Sequence, residues 1–159
     1  WTPAMESGDD VTHERVRFEL VVDSDGYPPA SAENLWAVKL VDDSYRIDNI
    51  PFYAKGIAPG DIVSTEMMGS ARCFKGILRA EGGSVFRIFV VSPSKADSIR
   101  SFLSASGLEC EAAAAGRLIA VEIPRSRDIS DFLDFLITGK ESGHLDFEEG
   151  VYRHGEPRA

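Results

Sequence analysis

The sequence has few of the residues on which disulfide frameworks, metal sites and nucleophilic catalysis depend. Its 159 residues include two cysteines and three histidines. Cys73 and Cys110 are the two cysteines and lie far apart in the sequence, a pattern typical of buried thiols in a reducing compartment rather than of a disulfide framework. We therefore expect a cytoplasmic location.

Long hydrophobic runs are missing as well. The longest one, from Val85 to Val91, is interrupted by Arg87 and is far shorter than a membrane-spanning helix. The start of the sequence, 1–10, lacks the basic and apolar regions of a signal peptide, and we leave 1–5 out of the fold. The sequence predicts no membrane association.

Basic residues are in deficit, because 17 lysines and arginines stand against 26 acidic residues and give a net charge of −9. Such a surplus repels phosphate backbones, and there is neither a basic run nor an aromatic-rich ribonucleoprotein motif. We expect no nucleic-acid partner. A basic protein partner would suit the charge, although many cytoplasmic bacterial proteins are simply acidic.

Motifs for nucleotide, zinc or nucleophile chemistry are absent, since no phosphate loop, dinucleotide fingerprint, nucleophile elbow or paired-cysteine zinc motif occurs. Gly82-Gly83-Ser84 leads into a predicted strand and not a helix, which indicates a turn and not an anion site. We expect no cofactor. The sequence leaves enzymatic activity undecided and leans against it.

One row of residues has ligand chemistry. His144, Asp146 and Glu148 alternate, so on a strand they would share one face. The strand rise would spread them over about 13 Å, too far for one ion. We expect no metal site there, and no local signature pairs a cysteine with a histidine for nucleophilic catalysis.

Short strands are predicted through the first half of the chain, residues 14–82. Alternating or apolar runs separated by turn residues occupy Val16–Val22, Leu35–Val41, Tyr45–Ile47, Asp61–Met67 and Ala71–Leu78. Strands of this number and spacing are typical of a small twisted sheet or partial barrel.

The second half, residues 83–153, alternates strands with helices. Strands are predicted at Ser84–Val91, Leu108–Ala114, Arg117–Ile123 and Leu145–Tyr152, with helices from Ser94 to Gly107 and from Asp128 to Gly139. Strand, helix, strand, strand, helix, strand is the ferredoxin-like order. The fold class is therefore α+β.

We expect 14–153 to form a single domain with flexible termini, 1–13 and 154–159, that contain His13 and His154. The apolar phase of each strand and helix also predicts a core. Its members are Trp36, Phe52, Phe86, Ile88, Phe102, Leu103, Phe132 and Leu136.

The densest group of unusual residues runs from Tyr45 to Tyr53. One interpretation is a polar turn closed by Asp48 and Asn49, followed by an aromatic core plug. The other is a ligand- or partner-binding patch. Its candidate residues are Arg46, Asp48, Asn49, Tyr53 and, from the second half, Arg87.

Several of these residues carry a family resemblance. The sequence resembles the uncharacterised bacterial family known as domain of unknown function 4265. The resemblance is carried by Glu33, Leu35-Trp36, Tyr45-Arg46, Asp48–Tyr53, Gly60-Asp61, Gly83–Ile88, Ala120–Pro124 and Phe147–Glu149. It covers about Val16 to Tyr152 and implies bacterial origin and a compact, freestanding domain, with no established activity, cofactor or catalytic residues.

Two functions are compatible with these features. The first is a small acidic cytoplasmic binding protein, such as an immunity or antitoxin-like partner of a basic bacterial effector, which the charge, the size and the missing motifs favour. The alternative is a small-molecule-binding domain or enzyme with a pocket between the two halves, built from the five candidate residues. The oligomeric state is left open.

Overall fold

The computed structural model describes residues 12–155. They form nine strands and two α-helices: β1 (His13–Glu19), β2 (Ala32–Lys39), β3 (Tyr45–Ile47), β4 (Ile62–Met68), β5 (Ala71–Arg79), β6 (Ser84–Val90), α1 (Ala96–Ser106), β7 (Glu109–Ala113), β8 (Leu118–Ile123), α2 (Ser130–Glu141) and β9 (Leu145–Val151). The α+β class predicted from the sequence is confirmed. No helix within this range is long and apolar enough to cross a membrane.

The described chain divides into two compact units. The first comprises the described residues up to Asn49 together with Pro59–Glu81, and the second comprises Ile50–Ala58 and the described residues from Gly82 onward. The predicted division near residue 82 therefore misplaced one segment, Ile50–Ala58. Ile50 and Ala58 pack with Val85 and Ala120, and burial of these apolar side chains holds the segment in the second unit.

The first unit is a closed barrel with the strand order β1-β2-β3-β4-β5. Neighbouring strands are antiparallel except at the closure, where Arg17 of β1 lies opposite Cys73 of β5 in a parallel pair. Alternate residues point inward because side chains alternate along a strand. The interior includes Val16, Phe18, Leu35, Ala37, Tyr45, Ile47 and Val63.

Trp36 was predicted to belong to the core, and this prediction is wrong, because Trp36 is 43% exposed. In β2 the neighbouring Leu35 takes the inward position and is buried, so Trp36 faces outward. The guanidinium of Arg15 lies 5.0 Å from the centre of the Trp36 ring. A cation over the ring face gives an exposed tryptophan partial cover.

The second unit has the chain order β6-α1-β7-β8-α2-β9 and the sheet order β7-β8-β6-β9. All neighbouring strands are antiparallel. One face of the sheet packs on both helices. The core there includes Phe86, Ile88, Ile99, Leu103, Ile119, Val121, Phe132 and Leu136, with Phe102 half-buried.

The helix boundaries differ slightly from the prediction, except at Gly107. Ser94 lies in a 3₁₀ turn before α1 and caps nothing with its side chain, whereas Gly107 does end α1 in the left-handed conformation with φ 75°. Gly139 lies inside α2, where an added Cβ would stand 2.7 Å from a Leu145 methyl group. Gly139 therefore allows α2 to pack closely on β9. It does not end the helix, which continues to Glu141.

Candidate functional site

The turn after β3 is closed by Asn49. Its side-chain oxygen accepts the backbone N–H of Trp36 at 2.5 Å, and the backbone N–H of Asp48 donates to the carbonyl oxygen of Trp36 at 2.9 Å. The carboxylate of Asp48 lies 3.7 Å from the His13 ring, and both side chains are about half exposed. Asn49 thus ties this turn to β2, whereas the structural interpretation expected Asp48 and Asn49 to bond backbone amides within the turn.

Arg46 is exposed on β3, between Val38 of β2 and Ile62 of β4. Its guanidinium forms no ion pair with the described residues. Arg46, Asp48 and Asn49 all belong to the first unit, whereas Tyr53 and Arg87 belong to the second.

Arg87 and Tyr53 are brought together, but through the backbone of Tyr53. Arg87 is 0% exposed. Its Nη2 donates to the Tyr53 carbonyl at 2.9 Å, its Nη1 to the Ala54 carbonyl at 3.0 Å and, at 3.4 Å, to that of Pro51. Its Nε donates to Glu148 at 3.0 Å. The guanidinium therefore organises the segment 50–58 and is sealed from solvent.

Gly150 makes the space for this guanidinium, because a Cβ at that position would stand 2.3 Å from the Arg87 Nη1. Gly150 is not among the residues singled out from the sequence. A signal was present, since a glycine inside a strand such as Leu145–Tyr152 often marks the close approach of another group.

The prediction for His154 was also wrong. This residue was predicted to lie in a flexible terminus, yet it is 6% exposed. Its Nε2 donates to the Pro124 carbonyl at 2.7 Å, so in the neutral ring Nδ1 accepts from the Ser84 hydroxyl at 2.6 Å. The backbone N–H of Arg153 also donates to Ser84. The Ser84 hydroxyl is completely buried, so this pair fastens the chain after β9 and cannot reach a substrate.

His13 also lies outside any flexible terminus, because it begins β1 and pairs with Val38. The remaining terminal predictions, for 1–11 and 156–159, fall outside the described residues.

The two cysteines differ from each other. Cys73 is buried as predicted, whereas Cys110 is exposed on β7, because the strand after α1 lies at the sheet margin. Partial burial of its sulfur, and then the neighbouring Glu109 carboxylate, raise the pKa of Cys110 to about 11. At neutral pH it is a protonated thiol and a poor nucleophile.

The side chains of His144, Asp146 and Glu148 do not converge on a common point, and Asp146 and Glu148 bind different residues. Asp146 accepts from Lys140 at 2.7 Å, and this hydrogen bond is the first cause of its lowered pKa. Glu148 pairs with Arg87, and His144 precedes β9. Within residues 12–155, no three histidine, cysteine or carboxylate side chains are grouped as metal ligands.

A groove of about 460 Å³ runs along β7. Leu103 and Ser104 of α1 line one side, Cys110 and Ala112 of β7 line the other, and Ile119 of β8 is also part of the lining. Arg100, Leu108, Glu109 and Glu111 complete it. The lining of the groove is predominantly apolar. Glu109 and Glu111 border it at the strand, and their side chains project from the other face of the sheet.

Glu109 and Glu111 form no ion pair with any described residue, and Glu109 lies directly opposite Glu122 in the β7–β8 ladder. Neither glutamate is among the site residues predicted from the sequence. Their signal was the alternation Glu109-Cys110-Glu111, which places charge on one face of a strand.

Comparisons with known proteins agree with this architecture. A family model described as Domain of unknown function (DUF4265) matches residues 33–147, which confirms the resemblance seen in the sequence. The chain is similar to a solved structure titled "Novel crystal structure of a hypothetical protein from Neisseria gonorrhoeae", with a TM-score of 0.70, 19% sequence identity, and coverage of 88% of this chain and 96% of that one. At this identity the similarity establishes the fold alone. No curated protein matches the chain.

Proposed function

The chain belongs to the DUF4265 family, and we propose that this member is a small protein-binding domain that captures a basic protein partner. One observation carries the proposal. Glu109 and Glu111 stand on an edge strand of the second unit's sheet without an ion pair among the described residues. They are carboxylates available to an external cation.

Two surface carboxylates of the second unit are neutralised by ion pairs, unlike Glu109 and Glu111. Asp97 pairs with Arg100 at 2.9 Å, and Asp146 pairs with Lys140 at 2.7 Å. Asp131, Asp134 and Glu141 of α2 also form no ion pair with a described residue. Glu109 and Glu111 differ from these acids because they lie on an edge strand of the sheet, in a chain whose net charge is −9. Charge of this sign and size speeds the encounter with a positively charged partner.

The pairing of Glu109 with Glu122 supports the same function. Two like charges directly opposite each other in an antiparallel ladder destabilise the sheet. A local arrangement that costs stability is expected at a functional position, and a lysine or arginine of a partner would remove the repulsion.

The partner class that suits this domain is a basic bacterial effector, with the chain as its immunity or antitoxin-like protein. We propose a cytoplasmic location, since Cys73 and Cys110 are both unpaired thiols. Binding of this kind needs no catalytic residues and no cofactor.

The alternative, a small-molecule-binding domain or enzyme that uses Arg46, Asp48, Asn49, Tyr53 and Arg87, has less support. Arg87 is buried and its donors are taken by backbone carbonyls and Glu148. The Asn49 side chain binds the backbone of Trp36. Both residues already have structural roles.

The test compares three forms of the chain in capture experiments from the source bacterium. The forms are wild type, the β7 variant Glu109→Lys/Glu111→Lys, and the control Asp134→Lys/Glu141→Lys, which changes the net charge equally on the exposed surface of α2. We expect a basic protein to be retained by wild type and control, to be lost by the β7 variant, and to elute with salt.

An immunity role adds a growth assay. The captured protein, expressed alone, should inhibit growth, and co-expression of wild type or control should restore it. Equal capture by all three forms, or retention of acidic proteins only, would refute binding through β7.

A further inference from the structure

We propose that the partner contributes an extended segment that adds to the sheet as a new strand beside β7, with alternating apolar and basic side chains. The inference rests on the proposed function and specifies how the basic partner binds. Apolar residues of the segment enter the groove beside α1, and its lysines or arginines face Glu109 and Glu111.

The open edge of β7 provides the backbone part of this site. Among the described strands β7 is hydrogen-bonded to β8 alone, because it ends the order β7-β8-β6-β9. The other edge of a terminal strand presents backbone N–H and C=O groups to any extended chain. Pairing along such an edge gives affinity that is independent of side-chain identity.

The groove provides the apolar part. Cys110 and Ala112 lie opposite Val121 and Ile119 in the ladder, and both of these β8 residues belong to the core that packs on the helices. Cys110 and Ala112 therefore face the helix side, where Leu103 of α1 forms the opposite wall. Side chains of an added strand on this side would meet an apolar surface.

The acidic part lies on the opposite face. Glu109 and Glu111 alternate with Cys110 and Ala112, so they project from the side of the sheet away from α1. Every second residue of an added strand would stand beside them. The site thus selects a period of two in the partner: apolar toward α1 and cationic toward the glutamates.

Charge excludes two other occupants of this edge. If β7 paired with β7 of a second copy, four unpaired glutamates would be brought together, which opposes association. Residues 1–11 of this chain contain three acidic and no basic side chains, so they also have the wrong sign. A basic segment from another protein is the occupant that the charges favour.

Synthetic peptides test the inference directly. We would use a nine-residue peptide that alternates valine and lysine, a block peptide of identical composition with the lysines grouped at one end, and an alternating valine–glutamate peptide. Fluorescence anisotropy gives each Kd, and amide hydrogen exchange reports protection along β7.

The alternating lysine peptide should bind at least about tenfold more tightly than the block peptide, and should protect amides of β7. Glu109→Lys/Glu111→Lys should weaken its binding by about tenfold or more. Ala112→Arg, which places a cation in the groove and leaves the glutamates intact, should weaken it too. The control Asp134→Lys/Glu141→Lys should bind as wild type.

The outcomes separate the two proposals. If both lysine peptides bind equally and the β7 charge reversal abolishes both, strand addition is wrong and the basic-partner function stands. If no lysine peptide binds and capture also fails, both are wrong. A dimer in sedimentation that Glu109→Lys/Glu111→Lys abolishes would show a second copy as the occupant and overturn the inference.

Discussion

Arg87 and Glu148 face each other across the β6–β9 ladder and are joined by an ion pair of 3.0 Å, with the arginine fully buried. The remaining donors of the guanidinium bind carbonyls of 51–54, at a sequence separation of more than thirty residues. This buried charge therefore holds the segment between β3 and β4 in place. The segment lies within the residues that match the DUF4265 family model.

Arg87→Ala should lower the free energy of unfolding by about 3–5 kcal/mol, because it removes the hydrogen bonds that Arg87 donates to Glu148 and to the buried carbonyls of 51–54. Arg87→Lys keeps the charge and loses the planar fork, so it should still cost about 1–3 kcal/mol. The matched control is Arg46→Ala at an exposed, unpaired arginine, which should stay within about 0.5 kcal/mol. Chemical denaturation measures all three, and equal losses for positions 87 and 46 would contradict this role.

Gly150→Ala tests the packing beside that guanidinium. The new Cβ would stand 2.3 Å from Arg87 Nη1, and we expect a loss of about 1–3 kcal/mol from overpacking. Gly76→Ala is the control, since its Cβ would meet only the Ser64 hydroxyl at 3.8 Å. There the substitution should be neutral or stabilise by up to about 1 kcal/mol. A thermally normal Gly150→Ala protein would mean that the guanidinium has room to move.

Asn49→Ala removes the acceptor for the Trp36 N–H and should cost about 1–2 kcal/mol. Asp48→Ala, at a half-exposed carboxylate, should change stability by less than about 0.5 kcal/mol. Neither substitution should alter partner capture beyond the effect on stability. An Asn49→Ala protein of normal stability that loses its partner would instead make this turn a binding site.

Local patterns in the sequence predicted the elements well and their partners poorly. Periodicity is enough to place β6, α1 and α2, because apolar spacing within each element reports its own buried face. It is ambiguous in β2, where Leu35 and Trp36 are both apolar and a shift of one residue exchanges inside for outside. The periodicity predicts that Trp36 is buried, whereas the structure buries Leu35.

Polar contacts between residues far apart in the chain produce no periodic pattern in the sequence. Arg87 looks like an interruption of an apolar strand, since its carbonyl partners lie more than thirty residues earlier in the chain. His154 looks like a terminal residue, since its partners Ser84 and Pro124 come from other strands' ends. The candidate groove exists because β7 is an edge strand of the sheet. The strand order of the fold determines which strand lies at the edge, and composition does not predict it.

The last prediction concerns the stability of β7. Glu109→Lys would place a lysine opposite Glu122 in the ladder in place of a second carboxylate, and should raise the free energy of unfolding by about 0.2–1 kcal/mol. Glu111→Lys, which lies opposite Ala120, is the control and should have little effect on stability. Both should weaken binding of the alternating lysine peptide, because each removes a carboxylate that faces it. A Glu109→Lys protein that is more stable and binds less would show that this glutamate is kept for its partner at a cost to the fold. If the substitution destabilises the protein, the repulsion inferred from the ladder is absent, and with it one of the supports for binding at β7.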